Sequence, residues 1–281
     1  MWKKTENPYN QYLITFFDRI NFLFGSYNLL GNQLKHLENL FKESLEKNNY
    51  SPEIIRAFCC LLMRDITEKP KSLCHFKYNT GKFEIKGDEY FKHLNKVKIR
   101  EASWCISQSF EAFESFLKKV IYLTHELNPD CIDEDKRKKF EDVCTKQSKD
   151  KKNYLTNYFN FTYKYSNSLL PFLKNYSDYY KQFLNNNYRN LKFEDWLKFV
   201  SEARNAIVHH EMVIKYDKIN WERVNPRFMN KYFPGSLSEK GYSLQIENKN
   251  VRLNLETFLE HGFLIYKSLS TEMNYDIIDL K

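Results

Sequence analysis

From about Phe91 to Leu127 the chain holds one period for longer than anywhere else. Ile106, Phe110, Phe113, Phe116, Leu117, Val120 and Leu123 recur every three or four residues, leaving Glu111, Glu114 and Lys118 for the outer side. A stripe of that length predicts a long helix whose aromatic face is core rather than a ligand box, and Pro129 marks its end. Composition points the same way. With 7 Gly and 7 Pro in 281 residues, tight turns are few and elements run long, which favours helices over a strand-rich sandwich.

Other stretches share the helical period. Leu13, Phe16, Phe17, Ile20 and Phe24 predict a helix over 11–24, and Leu30, Leu34, Leu37, Leu40, Phe41 and Leu45 a second from Tyr27 to Lys47. Ser51 as N-cap and Pro52 at the first helical position open a third, with Ile54, Ile55, Phe58, Leu61, Leu62 and Ile66 on its face. A closing helix over 255–273 carries Leu255, Phe258, Leu259, Phe263, Tyr266 and Leu269. The fold class expected is all-α, a helical bundle with an N-terminal helical extension and one or two small β-hairpin insertions.

The hairpins are expected where apolar and polar residues alternate: HFKYNTGKFEIKG, around Asn79-Thr80-Gly81, and YSLQIENKNVRLNLE, turning at Asn248 to Asn250. Residues 130–153 are dense in both charges and read as an exposed helix laced with ion pairs or a mobile linker. In the aromatic stretch that follows, Pro171 is expected to divide two segments. The domains expected are 1–92, an N-terminal helical region with a short hairpin, and 93–281, a helical domain with the charged insertion.

The formal net charge of +8 suits a polyanionic partner such as RNA, DNA or an anionic membrane, and equally a solvated lysine-rich surface. Six cysteines show no Cys-x-x-Cys pair and no zinc-ligand spacing. Asp18 and Arg19 interrupt the apolar stretch nearest the N-terminus, and no run approaches the ~20 apolar residues that span a bilayer. A reduced, cytoplasmic setting without membrane attachment is expected.

Against this background one string stands out, SEARNAIVHHE at 201–211. It ends a helix predicted from Lys192 to His210, capped by Asn190, with Glu194 and Asp195 against the positive end of the dipole. Phe193, Trp196, Leu197, Phe199, Val200, Ala203, Ala206, Ile207 and Val208 fall on one broad side, and Glu194, Lys198, Ser201, Glu202, Asn205 and His209 on the other. Asn205 and His209 are i and i+4 neighbours, so the amide can orient the imidazole. Arg204 projects into the apolar sector, where a guanidinium needs a partner or an interface; it either pairs with a buried carboxylate or faces a cleft. His210 points toward Ala206 and Ile207 and reads as a core histidine. Adjacent helical side chains diverge by about 100°, so His209, His210 and Glu211 make a poor metal site.

Arg204-Asn205-Ala206-Ile207-Val208-His209 resembles the Arg-x4-6-His signature of HEPN domains in its Arg-Asn-x3-His form, set as in that family at the end of a helix. The similarity covers about 93–273. It implies an all-α bundle that dimerises so that two copies of the string face one cleft, and in the nuclease members that cleft cuts RNA without a metal. By position, His209 would be the acid/base group at the ribose 2′-hydroxyl or leaving oxygen, Arg204 would hold the phosphate and Asn205 would steady His209. His210 also meets the looser family spacing and is the alternative acid/base. Some toxin members carry a Tyr two residues after the His, where Glu211 stands here. The function expected is a metal-independent endoribonuclease of toxin or phage-defence type, a homodimer acting on RNA, with an antitoxin or regulatory protein as a further partner and no cofactor or metal. The alternatives are a catalytically silent module of the same kind binding RNA, a nucleotide or a protein, and a helical interaction protein with no nucleic-acid role.

Overall fold

The computed structural model describes residues 7–48, 55–57, 62–63, 78–79, 83–85, 87–132, 134–147, 154–162, 169–218 and 225–278. The protein is mostly helical with small antiparallel β elements, as the long periodic runs predict. The chain divides into two compact units, Asn28–Arg100, and Met1–Tyr27 with Glu101–Lys281.

The first helix, α1 (Asn10–Asn48), runs through the point where two helices were expected to meet. Gly25 and Gly31 lie within it, and a helix-interior glycine costs about 1 kcal/mol, too little to stop a run whose apolar positions stay in phase. In the unit Asn28–Arg100, α1 meets the start of α2 (Gly87–Leu127) through Phe41, whose ring centroid lies 4.2 Å from Tyr90 and 5.3 Å from Phe91. Glu38 accepts hydrogen bonds from Lys98 at 2.6 Å and Lys42 at 2.9 Å, which hold its carboxyl down at about 2.

Between these helices the described residues of the predicted third helix are strand. Its span contains β1 (Ile55–Ala57) and β2 (Leu62–Met63), and its expected cap, Ser51 with Pro52, lies outside the described residues. A short apolar run fits a helix or a strand alike, and here a partner decides: β1 pairs antiparallel with β4 (Phe83–Ile85), Ile55 opposite Ile85. The alternating segment downstream does form strands, but they pair upstream rather than with each other. β3 (Tyr78–Asn79) pairs with β2, Leu62 opposite Asn79. Thr80 and Gly81 of the expected turn lie outside the described residues.

The other unit is built on aromatics. Tyr9 just ahead of α1, Leu13, Phe16 and Ile20 of α1, and Ile106, Phe110, Phe113, Phe116, Leu117, Val120 and Ile121 of α2 are buried. Phe16 stacks on Phe116 with centroids 4.9 Å apart. The charged stretch forms α3 (Glu134–Gln147), tied down by buried Phe140 edge-on to Tyr158 of α4 (Tyr154–Thr162). No break falls at Pro171 itself. It lies in the first turn of α5 (Leu169–Tyr176), where a missing N–H costs no helical bond, and the break comes at Ser177. Ser177 caps α6 (Asp178–Asn185) by accepting from the Tyr180 N–H at 3.1 Å.

Next comes α7 (Phe193–His209), then β5 (Val213–Ile214), α8 (Pro226–Tyr232), β6 (Gly235–Ser238) and β7 (Gly241–Leu244). The sheet order is β5-β7-β6, antiparallel throughout. The second expected hairpin is half right. Its first arm is β7, but Asn248 to Asn250 open α9 (Asn248–Glu272). Val251, Leu255 and Phe258 are four and three residues apart and all buried, so VRLNLE satisfies a helix as well as a strand. Glu247 and Asn250 exchange side-chain-to-backbone bonds in a capping box that settles the choice.

Two buried contacts make α9 intolerant of change. His261 lies flat on Phe193, centroids 3.3 Å apart at 11°. At Gly262 an added Cβ would stand 2.4 Å from Phe16 Cε1, inside the packed ring cluster. Gly262→Ala is therefore expected to destabilise the fold by about 1–3 kcal/mol through overpacking. The measurement is a urea titration, with a lower midpoint at unchanged slope.

Candidate functional site

The helix that carries the string is anchored along its whole length. Phe193, Trp196, Leu197, Phe199, Val200, Ala203, Ala206 and Ile207 are buried, the side the 100° projection selects. Phe193 meets Phe113 of α2 edge-on at 6.0 Å, and Trp196 meets Phe258 of α9 at 4.7 Å. The Trp196 indole N–H donates to Asn254 Oδ1 at 3.0 Å, so its one polar atom is satisfied inside the core.

Its N-terminal cap differs from expectation. Lys192 is the cap residue and offers no side-chain bond, while Asn190 sits at φ 50° in the preceding turn. Asparagine tolerates that left-handed backbone. Asn187 organises the turn instead: its Oδ1 accepts from the Arg189 and Leu191 N–H groups, and its Nδ2 donates to the Leu191 carbonyl at 2.8 Å. Arg189 then pairs with Glu260 and Glu256 on α9.

At the other end Arg204 is half-buried, its side chain 31% exposed. Its Nη2 donates to Glu111 Oε1 of α2 at 3.1 Å and its Nη1 to Asn205 Oδ1 at 3.3 Å, while Nε is buried and has no partner among the described residues. Glu111 is 34% exposed and also accepts from Gln108 Nε2 at 3.3 Å. The structure thus gathers Gln108, Glu111, Arg204 and Asn205. The carboxylate that an arginine on the apolar side requires is Glu111, which the periodicity of α2 places on the outer side. No local signal ties it to Arg204, since the two stand far apart in sequence.

Two expectations about the neighbours fail. Asn205 turns its carbonyl oxygen to Arg204, and among the described residues no hydrogen bond joins it to His209. A permanent cation beside the amide is the stronger attraction. His210 is exposed, not core. The helix stops at His209, so the 100° projection no longer applies at His210, which is the C-cap with φ −135°.

Beyond it Glu211 and Met212 hold φ 51° and 65°, two consecutive non-glycine residues in the left-handed region. The His210 and Met212 N–H groups both reach the Ala206 carbonyl, at 2.9 and 3.0 Å, and the Met212 carbonyl accepts from Leu244 of β7. This sharp, sheet-tethered turn leaves His209 and His210 exposed, with ring centroids 6.3 Å apart. The end of α7 therefore presents two imidazoles and a partly covered guanidinium, groups able to move a proton and to hold an anion.

Among the described residues no three His, Cys, Asp or Glu side chains are grouped to hold a metal ion, and no helix is long and apolar enough to cross a membrane. No protein-family model, no curated protein and no solved structure matches this chain.

Proposed function

We propose that the chain is a metal-independent endoribonuclease of HEPN type, working as a homodimer in which two copies of the Arg204–His209 string share one cleft, in the service of a toxin or a phage-defence response in the cytoplasm. The observation that carries this reading is the partial exposure of Arg204 in the last turns of the helix that ends at exposed His209. An arginine kept only for packing would be sealed among its partners, and this one is not. In the reaction, the RNA 2′-hydroxyl attacks the adjacent phosphorus and the bond to the 5′-oxygen breaks. His209 takes the hydroxyl proton or supplies the proton that the leaving oxygen needs, as histidine chemistry allows. Arg204 holds the non-bridging oxygens, which its planar fork fits in pairs. His210 is the alternative proton carrier.

A second reading, a silent module of the same kind, is favoured by the Glu111 pairing of Arg204 and by the turning of Asn205 away from His209. Both fit phosphate binding without turnover. Purified protein incubated with RNA in excess chelator separates the two. The nuclease leaves fragments that the Arg204→Ala/His209→Ala variant does not; the silent module leaves RNA intact but retains it with an affinity that falls as salt rises.

A further inference from the structure

The Arg204 guanidinium is already engaged before any substrate arrives. Glu111 Oε1 takes Nη2 at 3.1 Å, Asn205 Oδ1 takes Nη1 at 3.3 Å, and Nε is buried. A phosphate oxygen approaching the guanidinium competes for Nη2 and meets a carboxylate of like charge. Glu111 has a second hold, the Gln108 amide at 3.3 Å from one turn earlier on α2. It can leave Arg204 and keep a donor. Each side chain is about a third exposed, so the ion pair is screened and weak. A phosphodiester presenting two acceptor oxygens to the fork displaces it, and a polynucleotide held by other contacts does so at high effective concentration.

We infer that Glu111 is a specificity-determining residue: it competes with phosphate for Arg204, and so turns away small free anions in favour of a polynucleotide. This rests on reading Arg204 as the group that holds phosphate. Asn205 does not play the same part, because its amide is neutral and repels no anion.

Calorimetric titration of the full chain with inorganic phosphate, and with an oligoribonucleotide methylated at every 2′-oxygen, tests the inference without requiring cleavage. Glu111→Gln is expected to bind phosphate about two- to fivefold more tightly than wild type, the range a weak pair can withhold. Glu111→Ala is expected to do the same, and the affinity for the methylated oligoribonucleotide, held by other contacts, to change by less than the affinity for phosphate in both. In an Arg204→Ala background the Glu111→Gln change is expected to lose its effect, as a coupled pair requires. Unchanged or weaker phosphate binding by Glu111→Gln overturns the inference. So does equal tightening without Arg204, or loss of binding in Glu111→Ala restored in Glu111→Gln, which marks a residue that only positions the arginine. Intact cleavable RNA after incubation with wild type would remove the nuclease reading and leave these titrations decisive.

Discussion

His209→Ala is expected to slow RNA cleavage by about 10²–10⁴-fold, the usual contribution of a positioned acid/base group, while leaving RNA affinity nearly unchanged. The side chain is exposed at the end of α7, and among the described residues no hydrogen bond or ion pair reaches its imidazole. Its removal therefore leaves no buried group unpaired, and stability is expected to stay within about 0.5 kcal/mol of wild type. A lost rate in a protein of unaltered melting temperature is then a loss of chemistry. Arg204→Ala differs in kind. On the proposed reading it takes away the hold on phosphate, so affinity and rate are expected to fall together, and it leaves Glu111 with the Gln108 amide. Arg204→Lys is not expected to restore activity, because an ammonium cannot present two parallel N–H groups. His210→Ala serves as the discriminating control. Should it, and not His209→Ala, carry the loss, the working imidazole is the C-cap residue, and if neither changes the rate the proposed chemistry is wrong. The readout is the initial rate on a labelled RNA in chelator, beside a binding isotherm for each variant.

The parts of this protein legible from its sequence are those in which a single local rule decides. The stripe Phe110, Phe113, Phe116, Leu117 and Val120 has one way to be buried, and α2 buries it. Within α7 the projection separates Trp196 and Val200, both buried, from Lys198 on the exposed side. The rule holds only while the helix lasts, and it misplaced His210 one residue beyond the end. Where two local rules compete, distant residues settle the outcome. Ile55 becomes strand because Ile85 is opposite it, and VRLNLE becomes helix because Glu247 and Asn250 cap it. The candidate site shows the same division. The need of Arg204 for a carboxylate followed from its place on the apolar side, but its identity, Glu111, followed from the packing of α2 on α7. The left-handed pair Glu211 and Met212 was invisible because neither residue type signals such a turn, and its hydrogen bonds run to Ala206 and to β7.

Stability is expected to fall steeply between pH 6.5 and about 4.5, and His261 is the main cause. Stacked on Phe193 and beside Trp196, its ring is held neutral by burial, which pushes its pKa from 6.5 down to about 3. The Nδ1 contact with the Thr257 carbonyl at 2.9 Å opposes that shift only in part. In the unfolded chain the same imidazole takes up a proton near its ordinary value, so below pH 6.5 the unfolded state binds a proton that the native state refuses. The stabilising contribution is therefore complete above pH 6.5 and is lost progressively as the pH falls toward 3. At about 1.36 kcal/mol per unit, the loss is roughly 2 kcal/mol by pH 5 and at most about 4–5 kcal/mol in all. His125, buried against Phe172, is shifted downward for the same reason and adds to the slope in the same direction. Carboxylates act in a lower window. Glu38, held at about 2 by Lys98 and Lys42, and Glu256, lowered by Arg252 and Arg189, give up their contributions only as the pH falls below about 4.5. Among these groups the interval from 6.5 to 4.5 thus isolates the histidines. Urea midpoints taken across it are expected to drop in wild type and to drop less in His261→Phe, which keeps an aromatic ring against Phe193 and removes the titrating group. Any cost of fitting the larger ring is the same at every pH, so the difference in slope, not in absolute stability, is the quantity to compare. Equal slopes in the two proteins would show that the proton taken up on acid unfolding goes elsewhere.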